Sequence, residues 1–191
     1  MIRETIVTTG SDLGEVHLAP IGVIVEGDAR IIAPFRPSTT LDNLRASPYA
    51  VVNYTDDVRV FAGCLTGRCT WSTRPAIRTP GAVLEQCLAH AELKVTHVED
   101  DDVRPRFTCE VVHEEFHAPF QGFNRAQAAV IEAAILVSRL HMLPMDKIDT
   151  EIAYLEIAVA KTAGPGEKEA WGWLMERIGE FKRQSAKEKQ A

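Results

Sequence analysis

The chain has 191 residues, of which 46% are hydrophobic and 25% charged, and a formal net charge of -6. That is enough apolar material for one substantial core with a small appendage. The acidic balance speaks against a nucleic-acid surface, which needs clustered positive charge. No run approaches the roughly 20 apolar residues of a membrane span. The start, Met1-Ile2-Arg3-Glu4-Thr5, lacks the basic and apolar segments of a secretory signal. Four cysteines, Cys64, Cys69, Cys87 and Cys109, show no metal-like spacing and read as free thiols of a cytoplasmic protein.

In chain order, residues 15–26 and 29–35 read as a hairpin turning at Glu26-Gly27-Asp28. Pro20 and Gly22 interrupt its first strand, either as a bend or as a place where a flat ligand lies against main chain. Next comes Arg36, then Ser38, Thr39 and Thr40 in a row, then a short helix. Thr39-x-x-Asp42 fits a helix-start capping pattern, Leu41 and Leu44 face inward, and Ser47-Pro48 ends the helix. Residues 49–55 form a strand that Asp56-Asp57 closes. Residues 57–67 fit strand or short helix equally, 71–81 read as a loop, and 82–90 as a short helix. Alternation at Leu93, Val95 and His97, and again at Phe107, Cys109 and Val111, predicts a hairpin with a solvated acidic tip at 99–102. The remainder is helical: 124–143, then 149–163 closed by Gly164-Pro165-Gly166, then 167–183. The last two are expected to pair antiparallel, and the polar tail 184–191 to fray. Strands followed by helices make an α+β protein.

The chemistry concentrates at 36–53. An arginine, three hydroxyls and a helix N-terminus make a phosphate cradle: the helix start offers unsatisfied N–H groups and partial positive charge, and arginine adds bidentate charge-assisted bonds. Arg36, Ser38, Thr39, Thr40 and Asn43 are the candidates. Asn53, an amide within an apolar strand, needs a partner that a heterocycle edge or ribityl hydroxyl would supply.

His113-Glu114-Glu115-Phe116-His117 is a literal H-E-x-x-H, but it follows a strand-like run. On a strand, residues four apart stand about 13 Å apart, too far to share one metal, so no metal site is expected. His17 reads as a barrel histidine, His90 and His97 lie near no motif, and Asp56-Asp57 reads as a cap. No G-x-S-x-G, P-loop or G-x-G-x-x-G occurs. No catalytic residue is assigned.

Thr40-x-x-Asn43-Leu44 followed by Tyr49-Ala-Val-Val-Asn53 is similar to the T-x-x-N-I … F-V-V-N signature of flavin-reductase-like proteins, and Ala19-Pro20-Ile21-Gly22 fits the same arrangement. With Gly122-Phe123-Asn124-Arg125-Ala126 and the A-V-I-E-A at 129–133, the chain resembles an uncharacterised archaeal and bacterial family of FMN-binding split-barrel proteins. The resemblance implies a six-stranded antiparallel split β-barrel at 1–122 with a helical region packed on it at 123–191. It implies a homodimer binding FMN without a covalent bond, in the setting of tetrahydromethanopterin-linked one-carbon metabolism. Thr40, Asn43 and Asn53 carry over as cofactor-binding positions. Backbone around Pro20, Ile21, Gly22 and Val23 is expected against the isoalloxazine. Arg125 is expected either to reach FMN or to make an intersubunit ion pair. The function so implied is an FMN-dependent oxidoreductase, or else a flavin- or pterin-binding module or dimeric scaffold without turnover. No nicotinamide motif is visible.

Overall fold

The computed structural model describes residues 1–11 and 13–188. In chain order its elements are β1 (Ile2–Gly10), β2 (Val16–Glu26), β3 (Ala29–Ile32), α1 (Thr39–Ala46), β4 (Tyr49–Tyr54), α2 (Val58–Leu65), β5 (Thr73–Pro75), β6 (Ala82–Leu84), β7 (Ala89–Glu99), β8 (Arg106–Phe116), α3 (Arg125–Ser138), α4 (Met145–Thr162) and α5 (Pro165–Glu188). Two compact units emerge: Met1–Asp56 with Thr70–Phe120, and Asp57–Cys69 with Gln121–Ala191. The expected fraying falls partly on 184–188, which continue α5, and partly on 189–191, which lie outside the described residues.

The first unit is a closed antiparallel barrel in the order β1-β2-β3-β8-β7-β4. Gly27, at φ +58, supplies the tight turn of the β2–β3 hairpin. β2 runs without a break through Pro20, opposite Ile6, and Gly22, opposite Glu4, so the expected interruption is absent. The reason is local. β2 pairs with β3 only over 24–26, and earlier its ladder partner is β1 alone, so a missing N–H at Pro20 disturbs no second ladder. Val7, Ile32, Val52, Leu93 and Phe107 fill the barrel, and Leu41 and Leu44 of α1 join them as expected. The α1 cap is Ser38, whose hydroxyl accepts from the Leu41 N–H, rather than Thr39.

The expected helix at 82–90 is instead β6 and the start of β7. Tertiary pairing overrides local preference: Leu84 N–H donates to Asn53 Oδ1, Leu88 N–H to the Tyr54 carbonyl, and Ala89 opens the β4–β7 ladder opposite Tyr54. The loop at 71–81 likewise contains β5, which pairs with β6.

The second unit is helical. Residues 57–67 resolve to α2, whose start Asp57 caps by accepting from the Arg59 N–H. Ala62, Val130, Ala133, Ile148 and Leu174 lie in its core. α3 packs along α4, while α5 lies chiefly against α2 and α3, so the expected α4–α5 hairpin is a minor contact. α4 begins at Met145, just after Pro144, four residues before the expected start. Pro165 opens α5, where its missing N–H costs nothing, and the Glu167 carboxylate accepts from the Gly164 N–H. Among the described residues, no helix is long and apolar enough to cross a membrane.

Leu174 is fully buried and Tyr154 is 76% exposed. Leu174→Ala is expected to lower stability by about 2–5 kcal/mol, and Tyr154→Ala to change it by less than about 0.5 kcal/mol, as read by urea denaturation followed in the far-ultraviolet.

Candidate functional site

The helix start of α1 gathers charge at the surface. Arg36 Nη2 donates to Asp100 Oδ1 at 2.8 Å and to the Asp101 carbonyl at 3.3 Å. Arg45 Nη2 donates to the same Asp100 oxygen at 3.3 Å. Two guanidinium groups, one in the loop before α1 and one in the last turn of that helix, thus converge on one carboxylate oxygen, the charge-assisted geometry in which an oxyanion is held. The β7–β8 tip is fastened to this loop by more than charge. The Arg36 N–H donates to the Val103 carbonyl, and the Arg104 guanidinium donates to the Ala33 carbonyl at 2.8 Å and lies over the Phe35 ring at 4.4 Å. The acidic tip is therefore an anchored turn rather than only a solvated one. Asp101 accepts from the Arg104 and Val103 N–H groups, which hold its pKa below the ordinary carboxylate range.

Ser38 and Thr39 lie at this surface, whereas Thr40 and Asn43 are buried beneath it. Asn43 Nδ2 donates to Thr9 Oγ1 at 3.0 Å, tying α1 to the far end of β1. Pro20, Ile21, Gly22 and Val23 lie three to six residues along β2 from His17, which faces Thr9. At about 3.3 Å per residue they stand roughly 10–20 Å from that tie. Ile21 carbonyl accepts from Thr5 Oγ1. A Cβ on Gly22 would meet Ile2 Cγ2 at 2.9 Å and Glu4 Oε1 at 3.1 Å, so a side chain there would require these β1 side chains to shift. Arg125 belongs to the helical unit, where it lines a groove between α3 and α4 with Glu132, Tyr154 and Ala158.

Asn53 sits in one row with Ile6 and Pro20 across β4, β1 and β2. Its amide does not need a ligand partner. Nδ2 donates to the Ile6 carbonyl at 3.0 Å, and Oδ1 accepts from the Leu84 N–H at 2.8 Å. The expectation drawn from its burial is corrected: the partner is the protein's own covering segment.

The same outward sheet face carries a polar layer that the sequence did not reveal. Glu92, fully buried, accepts from the Ile77, Arg78 and Thr79 N–H groups at 2.7–2.8 Å and from Thr79 Oγ1. Burial alone raises its pKa, but these bonds together outweigh it, and the carboxyl lies below its ordinary value. His90, also fully buried, is pushed below the ordinary histidine value by burial, with Glu92 opposing. The H-E-x-x-H lies on β8, as expected from its strand-like approach. His90 was expected near no motif, yet it faces Glu115 across the ladder, stacks on His117 at 5.1 Å and meets His113 edge-on at 5.8 Å. Arg74 Nη2 reaches His117 Nε2 at 2.9 Å. The available signal was Ala89-His-Ala-Glu-Leu93, in which apolar and polar residues alternate.

The cysteines offer no ready nucleophile among the buried thiols. Burial pushes Cys64 and Cys109 up to about 12 and Cys87 up to about 11.

Two family models cover almost the whole chain: the N-terminal domain of a protein of unknown function, DUF447, over residues 3–118, and its C-terminal counterpart over 124–176. The chain belongs to the DUF447 family. A solved relative is the FMN-bound protein MM1853 from Methanosarcina mazei, itself a DUF447 protein. It is 21% identical, with a TM-score of 0.80 over 92% of this chain and 94% of that one. The 2-nitrobenzoate 2-nitroreductase NbaA of Pseudomonas fluorescens is 19% identical, with a TM-score of 0.52 over 59% of this chain and 64% of that one. The NADH:FAD oxidoreductase SgcE6 of Streptomyces globisporus is 14% identical, with a TM-score of 0.51 over 61% of this chain and 72% of that one. These likenesses establish a shared flavin-reductase-like fold. None of the curated proteins matches the chain.

Asn53→Leu strands the buried Leu84 N–H. It is expected to lower stability by about 1–3 kcal/mol in urea denaturation, with faster hydrogen exchange at Leu84.

Proposed function

We propose that this DUF447 chain is an FMN-binding flavoprotein whose barrel holds the FMN phosphate at the start of α1. The observation that carries the reading is the convergence of Arg36 and Arg45 on one carboxylate oxygen, with Ser38 and Thr39 following Arg36 at the start of α1. Asp100 stands there as an internal anion, and a phosphate oxygen suits the same donors. The barrel it belongs to shares its fold with an FMN-bound protein over nearly the full chain.

In this reading Arg36, Arg45, Ser38 and Thr39 bind the phosphate. Asn43, bonded to Thr9, holds α1 against β1, and Thr40 is buried below the same surface. The backbone of Pro20, Ile21, Gly22 and Val23 borders the ring, and Asn53 keeps β4, β1 and the segment over them in register. Bound FMN would supply hydride and electron transfer, so the chain itself needs no nucleophile. A homodimer fits the large exposed side chains of the barrel unit, among them Phe35 at 51% and Phe116 at 78%. The finer reading, an oxidoreductase serving tetrahydromethanopterin-linked one-carbon metabolism, rests on the family resemblance.

Titrating the purified chain with FMN and with riboflavin tests the phosphate assignment. Arg36→Ala with Arg45→Ala should weaken FMN binding by about 10- to 100-fold or more, each charge-assisted bond being worth about 1.5–3 kcal/mol, and leave riboflavin unchanged. Asp100→Asn should strengthen FMN binding, because it removes the competing anion. Equal losses for the two flavins would put the phosphate elsewhere. Bleaching of the bound flavin by a reduced nicotinamide or deazaflavin supports the oxidoreductase reading, and a flavin that neither donor reduces supports a binding module without turnover.

A further inference from the structure

We propose that His90, His113 and Glu115 form a binding site for one divalent transition-metal ion. The site lies at the end of the β7–β8 hairpin opposite its acidic tip. Nine to ten residues of strand, about 30 Å at the usual rise, separate it from Asp100 and the phosphate loop.

The geometry comes from strand pairing. His113 and Glu115 are two apart on β8 and share a face, and His90 stands directly opposite Glu115 on β7. One ligand atom from each of the three lies within 4.8 Å of the others. The spacing that keeps His113 and His117 from sharing a metal does not apply here, because neighbours at period two and across the ladder replace neighbours at period four. Glu114, the glutamate a zinc protease would use, is exposed on the other face.

The second observation is independent of proximity. His90 Nε2 and His113 Nε2 are both buried and make no hydrogen bond. Glu92 Oε1 stands 3.6 Å from His90 Nε2, past hydrogen-bonding distance. A buried nitrogen without a partner is costly, and an ion shared with Glu115 would give both histidines one. Behind His90, its Nδ1 lies 2.9 Å from His117 Nε2, and Arg74 Nη2, which can only donate, lies 2.9 Å from the same atom. With a metal on Nε2, His90 Nδ1 would carry the proton and His117 would hold the ring in orientation, as outer partners hold metal-bound histidines.

Charge agrees. Glu92 and Glu115 bring two carboxylates to the cluster, against the guanidinium of Arg74. Two imidazoles with one carboxylate select zinc, cobalt, nickel or ferrous iron over magnesium or calcium. Tetrahedral donors lie about 3.4 Å apart at zinc–nitrogen distances near 2.1 Å. The half-buried side chains of His113 and Glu115 have the freedom to close that difference. Three protein ligands leave a position open to water or a substrate atom.

The test uses the full chain without an affinity tag, stripped with a chelator and titrated with Co2+ under visible absorbance, then with Zn2+ as competitor. One Co2+ per chain, displaced by Zn2+ but not by Mg2+, is expected. His113→Ala and Glu115→Gln should each weaken Zn2+ binding by about 100-fold or more, while His97→Ala, on the exposed part of the same hairpin, leaves it unchanged. Absence of saturable binding by the unmodified chain overturns the proposal whatever the variants do. So does binding that survives both substitutions.

Discussion

A covering segment with little regular structure of its own must find partners for its backbone, and the barrel supplies them from a sheet face. Residues 70–88 lie over β1, β4 and β7, and their main-chain groups are met by Asn53, Glu92, Thr8 and Thr55. Buried N–H groups cannot be left unpaired. Here a carboxylate and an amide do for irregular chain what a ladder does for strands. That constraint explains why a barrel with an apolar interior carries a second, polar buried layer on its outside. It explains the fully buried Glu92, the contiguous burial of 89–93, and the hydrogen bonds that Asn53 makes within the protein.

Much of the fold was legible. The β2–β3 turn, the inward leucines of α1, the strand after Pro48, the acidic-tipped hairpin and the helical second half all follow from local pattern. The failures share one cause. The segment 82–90 has no strand-like alternation of its own, and it leaves the helical path because Asn53 and Tyr54, some 30 residues earlier in the chain, capture the Leu84 and Leu88 N–H groups. Pro20 reads as a breaker only if both sides of its strand are paired, and pairing partners are not written in a single segment. The α4–α5 hairpin, expected from adjacency in sequence, gave way to α3, whose small residues Ala126, Ala129 and Ala133 permit close approach of its neighbours.

The site was legible in part. The sequence placed an arginine, three hydroxyls and a helix start together; the structure leaves Arg36, Ser38 and Thr39 at the surface and buries Thr40 and Asn43. The sequence did not show that Asp100, 64 residues away, would occupy the arginine, or that Arg45 would join it on the same oxygen. His90 was invisible as a chemical residue because its partners come from the next strand, in a register set by bulges at Glu92/Leu93 and Val95/His97. Asn53 shows the opposite error: a buried polar side chain is evidence of a partner, and that partner need not be foreign.

The placement of α2 has a consequence for modularity. The chain leaves the barrel unit after Asp56, builds one helix of the other unit, returns at Thr70 and leaves again after Phe120. Val58 and Ala62 of that helix sit in the same apolar core as α3 and α5. The two family models meet between 118 and 124, yet a cut there would sever α2 from its companions and bare its greasy side. A C-terminal piece would lack one helix of its own core, so the two units are interleaved along the polypeptide rather than strung end to end.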